Sequence, residues 1–185
     1  MNKDKKALIV VDMQNDFITG SLGTEEAKAI VSKVIDKIKE YEDNESPILF
    51  TQDTHKRNYL ETQEGRILPV EHCLYNTDGW CIIPELSNFL QRHRHLRVEK
   101  ETFGAKELVT ISYSRIDLDN FNKIELIGVC TDICVISNAL LIKAFYPEIE
   151  IIVDASCCAG VTPEKHKAAL EVMKSCQITV INEGE

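Results

Sequence analysis

Basic runs are missing from this 185-residue chain: 21 lysines and arginines are scattered among 30 aspartates and glutamates, for a formal charge of −9 and a pI near 5.1. That balance repels phosphate backbones and anionic bilayers, which excludes nucleic acid and membrane surfaces as partners. Long apolar runs are missing too. Before Asp12 the N-terminal stretch offers only Ala7-Leu8-Ile9-Val10-Val11, too short for a signal peptide or a membrane span, so a cytoplasmic protein is expected. There is no CxxC pair. The seven cysteines are odd in number and lack framework spacing, which fits individual thiols in a reducing compartment better than a disulfide scaffold. Neither a serine-centred elbow nor a glycine-lysine phosphate loop occurs. Repeats, low-complexity segments and linkers are not found, and the length suits one well-filled core, hence a single domain over residues 1–185.

What is present is an alternation of short apolar runs with helical patterns. Residues 7–11 read as a strand covered on both faces, ending at Asp12. Thr24 suits an N-cap, and the apolar residues from Ala27 to Tyr41 recur at helical spacing, predicting one helix of about four to five turns. A second strand, 48–52, ends at Asp53. From there to Trp80 the chain is polar and loop-like, and a loop that long is usually functional. A helix from near Pro84 to Arg94 precedes a short strand, 96–99, that ends at Lys100; residues 101–121 are ambiguous between helix and extended chain. The fourth strand is 124–129, followed by a helix that Pro147 stops. A fifth strand, 149–153, ends at Asp154; a helix starts at Thr162-Pro163, and 177–181 is a sixth strand. This alternation predicts an α/β fold, a doubly wound parallel sheet with helices on both faces and a ligand site beyond the carboxyl ends of its strands. Asp12, Asp53, Lys100 and the turn from Cys130 to Cys134 fall there, on four different strands.

Gly128-Val129-Cys130-Thr131-Asp132-Ile133-Cys134-Val135 joins the fourth strand to its helix. Thr131 or Asp132 can cap that helix, placing Cys134 in the first turn, where unpaired N–H groups and the dipole favour a thiolate. On this stretch alone a buried structural cysteine is an equal reading. A cysteine hydrolase needs a thiolate, a proton acceptor that later protonates the leaving amine, a cation to hold that acceptor, and donors for the oxyanion. Cys134, Asp12 and Lys100 can supply the first three, and the N–H groups of Cys130 and Cys134 the fourth. Asp53-x-His55 with His72 offers one carboxylate and two imidazoles, a divalent-metal set with open positions, and Glu64 is a fourth ligand or an outer acceptor. A polar loop with two unrelated histidines is the competing reading.

Together, Val10-Val11-Asp12-Met13-Gln14-Asn15-Asp16-Phe17, Thr51-Gln52-Asp53-Thr54-His55, His72-Cys73, Lys100-Glu101-Thr102-Phe103 and the Gly128–Val135 stretch resemble the isochorismatase-like cysteine hydrolase superfamily, most of all its nicotinamidase/pyrazinamidase branch. The resemblance implies six mainly parallel strands in the order 3-2-1-4-5-6. It implies a triad of Asp12 as base, Lys100 as its partner and Cys134 as nucleophile. A cis peptide before Cys130 is implied as well, turning that N–H into the oxyanion hole. Asp53, His55 and His72 would bind zinc, or manganese or iron, with a carboxylate at Glu64, and the ring nitrogen of nicotinamide would coordinate the ion. Phe17 and Phe103 would sandwich a flat ring, with Leu68 where a bulky aromatic often stands. The pattern departs at Leu68-Pro69-Val70-Glu71-His72, which carries one extra residue, and at Gly104-Ala105, where Ser-Ala is familiar. The activity implied is conversion of nicotinamide to nicotinate and ammonia through a cysteine thioester, in a homodimer or homotetramer. Another small-amide C–N hydrolase, of N-carbamoyl or ureidoacrylate type, and a non-catalytic metal- or ligand-binding relative are the alternatives. Outside this set, Cys157-Cys158 read as structural residues opening a loop, His93 and His95 as solvated, His166 as surface, and Trp80 as an anchor in the core or at a subunit contact.

Overall fold

The computed structural model describes residues 5–92, 97–110 and 117–184. Six strands form one sheet: β1 (Lys6–Val11), β2 (Ile48–Asp53), β3 (Arg97–Lys100), β4 (Lys123–Val129), β5 (Glu150–Ala159) and β6 (Thr179–Ile181). Their order is β3-β2-β1-β4-β5-β6 and every pairing is parallel, as the resemblance implied. The helices are α1 (Asn15–Ile18), α2 (Glu25–Ala29), α3 (Val31–Asp43), α4 (Gln63–Ile67), α5 (Ser87–Arg92), α6 (Ile136–Phe145) and α7 (Pro163–Ser175).

The period of two along a strand explains the layers. Ala7, Ile9 and Val11 of β1 enter one apolar cluster with Ile142 of α6 and Leu170 and Met173 of α7. Leu8 and Val10 enter a second with Val34, Ile38 and Tyr41 of α3. A strand apolar at every position buries its surface only between two such layers. Strand order reverses at β1, which has β2 on one side and β4 on the other. A crevice therefore opens beyond the ends of β1 and β4, where Asp12 and the cysteine turn emerge.

Gly128 sits in register with Val11 at φ +114°, and a Cβ there would lie 2.1 Å from the Val11 carbonyl oxygen. Both the dihedral and the contact exclude a side chain. Gly128→Ala should lower unfolding free energy by about 3 kcal/mol in urea titrations, and a loss below about 1 kcal/mol would contradict this.

Several expectations need correction. The predicted helix from Thr24 to Tyr41 is two helices, because Ile30, at ψ −12°, departs from helical geometry between α2 and α3. The stretch between Asp53 and Trp80 is less irregular than expected: a tight turn at Tyr59–Glu61 leads into α4, whose Thr62 N-cap accepts from the Gly65 N–H at 3.0 Å. Asp154 does not end the fifth strand. β5 bulges there, pairing Val153 with Leu126 and then Cys158 with Gly128, so Cys157-Cys158 lie buried in the strand rather than in a loop. The Asp154 carboxylate accepts from Ser156 and Asn182 and pairs with Lys37 at 2.9 Å, which is why a polar break in the sequence is not a break in the sheet. In the ambiguous stretch, Lys106–Leu108 and Leu118–Asn120 form 3₁₀ turns. His93, Arg94, His95, Leu96 and residues 111–116 lie outside the described residues.

Candidate active site

Lys100 closes β3 in register with Asp53, the last residue of β2. Its side chain has no solvent exposure, and its Nζ stands 2.8 Å from Asp12 Oδ2, 3.1 Å from Asp53 Oδ1 and 3.5 Å from Cys134 Sγ. Asp12 follows β1 at φ +49°, a rare conformation for a non-glycine residue. Thr51 holds it there, accepting from the Asp12 N–H at 3.2 Å and donating to Oδ1 at 2.6 Å, which leaves Oδ2 to the ammonium.

Cys134 lies in a π-type turn, Thr131–Val135, that precedes α6. The Val135 N–H donates to the Cys130 carbonyl and the Ile136 N–H to the Thr131 carbonyl. Neither Thr131 nor Asp132 caps the helix, contrary to expectation, because both side chains are recruited elsewhere. Thr131 Oγ1 shares a hydrogen bond with His166 Nδ1 at 2.8 Å, and Asp132 Oδ1 accepts from the Val161 N–H at 2.9 Å. His166 is thus a half-buried anchor for the turn rather than a surface residue. The Val129–Cys130 peptide is cis. From α6, Asn138 donates to the Cys134 carbonyl at 2.8 Å and accepts from the Ala105 N–H at 2.8 Å, tying the turn to the segment after Lys100.

Burial pushes the Cys134 thiol well above its ordinary value; Lys100 opposes this, and the Asp12 and Asp53 carboxylates add to it. Burial raises Asp12 as well, against Lys100 and with help from Asp53. For Lys100 burial favours the neutral amine, but Asp12, Cys134 and Asp53 outweigh it and hold the ammonium well above its usual range. Burial thus works against the ready thiolate that a helix start alone suggests, and Lys100 works for it. The sulfur loses its proton when an acceptor takes it.

On the other side of Asp53, its Oδ2 lies 3.0 Å from His55 Nε2 and 3.7 Å from His72 Nε2. Glu64 Oε1, on α4, is 3.6 Å from His55 Nε2 and 3.7 Å from His72 Nε2. His72 Nδ1 donates to the Val70 carbonyl at 2.9 Å, so in the neutral ring Nε2 carries a lone pair aimed at the cluster. His55 Nε2 is buried without a hydrogen-bond partner, a deficit that a cation would remove. Tetrahedral bonds of about 2.1 Å put ligand atoms about 3.4 Å apart. The observed separations bracket that value, so Asp53, His55 and His72 fit a divalent metal, with Glu64 close to both imidazoles.

A cavity of about 240 Å³ lies over these groups. It is small beside the roughly 300–1,000 Å³ of ordinary ligand pockets and suits one small ring or a short acyl group. Cys130, Cys134, Asp53, Glu64, His72, Phe17, Leu68 and Phe103 line it, whereas Asp12, Lys100 and His55 stand outside its lining. Ion pairs and close contacts tie Asp12, Lys100 and His55 to these lining residues, so the residues expected to carry the chemistry and the metal lie together. The Phe17 ring packs on His72 with centroids 5.6 Å apart.

Sequence reasoning missed the wall formed by Ala159, Gly160, Val161 and Lys165, because the β5 bulge and the start of α7 deliver it. It also left Gln14 and Asp16 without roles, though both stand in the quoted motif. Asp16 Oδ2 accepts from the Cys73 N–H at 2.7 Å, which fixes the backbone next to His72. Trp80 is an anchor in the core, its Nε1 donating to Thr54 Oγ1 at 2.9 Å.

The chain is similar to several solved structures. Nicotinamidase PncA from Bacillus subtilis is 27% identical with a TM-score of 0.79, the match covering 96% of this chain and 99% of that one. Pyrazinamidase from Pyrococcus horikoshii, in complex with zinc, is 28% identical with a TM-score of 0.78 over 96% and 99% of the two chains. N-carbamoylsarcosine amidase from Thermoplasma acidophilum is 26% identical with a TM-score of 0.72 over 98% of each. With the isochorismatase domain model matched from residue 6 to residue 184, the chain belongs to the isochorismatase family.

Proposed function

We propose that this protein is an amidase that converts nicotinamide to nicotinate and ammonia through a thioester on Cys134. One observation carries the reading: the buried Lys100 ammonium lies 2.8 Å from Asp12 Oδ2 and 3.5 Å from the Cys134 sulfur, and Cys134 lines the small cavity. The similarity to a nicotinamidase and a pyrazinamidase supports it.

Phe17, Leu68 and Phe103 pack against the substrate ring. The Cys134 sulfur bonds to the carboxamide carbon while its proton passes to Asp12, and the N–H groups of Cys130 and Cys134 receive the charge on the oxygen. The C–N bond then breaks, and Asp12 returns the proton to the leaving group, which departs as ammonia. Water attacks the thioester, giving a proton to Asp12 that goes back to sulfur as nicotinate is released. Lys100 keeps its proton throughout and holds Asp12 in reach. Asp53, His55 and His72, with Glu64 beside them, would hold zinc, or manganese or iron, which supplies a Lewis acid for a ring nitrogen.

Hydrolysis of an N-carbamoyl acid is the second reading, favoured by Lys165, which lines the cavity and can pair with a substrate carboxylate. An ammonia-release screen of nicotinamide, pyrazinamide and ureido acids, with zinc, manganese and iron supplied in turn, separates the two. Nicotinamide or pyrazinamide should turn over fastest, and chelation should lower that rate until the ion is restored. Faster release from a ureido acid would move the assignment to the second reading, and no ammonia from any amide would remove both.

A further inference from the structure

We infer that Gln14 is the positioning residue that lets one carboxylate, Asp53, serve Lys100 and the metal cluster together. The inference rests on the proposed roles of Lys100 and of the Asp53-His55-His72 cluster.

Asp53 has a demanding task. Its Oδ1 meets Lys100 Nζ at 3.1 Å and its Oδ2 meets His55 Nε2 at 3.0 Å, so a small rotation of the carboxylate would lose one or both. The sheet holds it on one side only. There Asp53 pairs with Lys100 of β3, but on the other side the register of β1 against β2 ends at Val10 and Phe50, and β1 turns away at Asp12. The Asp53 N–H and carbonyl on that side have no strand to bond, and buried backbone groups must be satisfied.

Gln14 supplies the missing neighbour. Its Oε1 accepts from the Asp53 N–H at 2.7 Å and its Nε2 donates to the Asp53 carbonyl at 2.8 Å, so a planar side-chain amide imitates an adjacent peptide. The second Nε2 proton goes to the Trp80 carbonyl at 2.8 Å. Gln14 is fully buried, and both donors and the acceptor of its amide are used. A carboxylate lacks the donors, a hydroxyl cannot span both groups, and an ammonium has no acceptor. The Gln14 backbone is tied down as well: its N–H donates to the Asp12 carbonyl at 2.7 Å, and its carbonyl accepts from Phe17 and Ile18. The clamp thus links the segment that carries Asp12 to the strand that carries Asp53.

The test compares zinc affinity and Cys134 alkylation in the full-length wild type, Gln14→Met, Gln14→Glu and Tyr41→Phe. Methionine keeps the length of Gln14 without its hydrogen bonds, and glutamate keeps only an acceptor. Tyr41→Phe is the stability control, since it removes a buried hydrogen bond to Glu125 in the layer of α3. A positioning role predicts that Gln14→Met binds zinc about 10- to 100-fold more weakly and that iodoacetamide labels its Cys134 about tenfold more slowly, with glutamate in between. Tyr41→Phe should match the wild type in both, even where its melting temperature falls as far. Wild-type zinc affinity and labelling in a folded Gln14→Met would overturn the inference, as would equal losses in Tyr41→Phe. If the wild type takes up no zinc, the metal reading fails instead, and the labelling rates alone decide. Should Gln14→Met not fold, the same criteria apply to Gln14→Glu.

Discussion

Cys134→Ala should lower ammonia release from nicotinamide by about 10⁴- to 10⁶-fold, the loss found when a nucleophile that works as part of a unit is removed. The size of the effect follows from the surroundings. Without the sulfur, water would have to attack the amide, and Asp12 is placed to serve a side chain at position 134 and has its Oδ1 taken by Thr51. Binding should survive, because the apolar wall and the metal cluster are untouched. Stability should change little, since the thiol makes its main polar contact with Lys100 at 3.5 Å, and Lys100 retains two carboxylates. Single-turnover ammonia assays with calorimetric binding of nicotinamide check this. A variant that turns over within about tenfold of the wild type would remove Cys134 from the chemistry.

Lys100→Met should damage both folding and catalysis. Asp12 and Asp53 are 0% and 4% exposed and both lean on the one ammonium. Removing one partner of a buried ion pair leaves uncompensated charge and costs about 3–5 kcal/mol. In a chain of this size that lowers the melting temperature by about 6–20 °C. The loss should depend on pH in a definite direction. Burial already raises Asp12 in the wild type, and without Lys100 it rises further, so the folded variant binds a proton that the unfolded chain releases. Its stability then falls as pH rises from about 4, the unfolded value, and the deficit against the wild type is largest near neutrality. Turnover should fall by about 10²- to 10⁴-fold, because Asp12 is no longer held against the sulfur. Thermal melts from pH 4 to pH 8, with kcat on the folded fraction, test both parts. A variant as stable as the wild type at pH 7 would contradict them.

Much of this could be read in the sequence because strand ends are local features. Apolar runs of strand length stop at Asp12, Asp53, Lys100 and Cys130, and parallel topology carries those stops to one rim. The Asp53-His55-His72 cluster was legible as residue types but not as geometry. His55 and His72 meet because the His55 N–H donates to the Cys73 carbonyl and Asp16 holds the Cys73 N–H, contacts between residues far apart in the chain. The capping of the cysteine turn departs from the sequence expectation for the same reason. Thr131 and Asp132 have good capping side chains, but His166 and Val161 claim them from beyond β5. The β5 bulge was hidden because Asp154 and Ser156 look like a loop, and their partners Lys37 and Asn182 cannot be paired with them by pattern alone.

Acid quenching of nicotinamide turnover within the first cycle, followed by mass measurement of the peptide carrying Cys134, addresses the thioester directly. The account predicts one acyl group on that cysteine, removed by hydroxylamine and missing from Cys134→Ala. An unmodified Cys134 peptide at every quench time, with ammonia still accumulating, would contradict it.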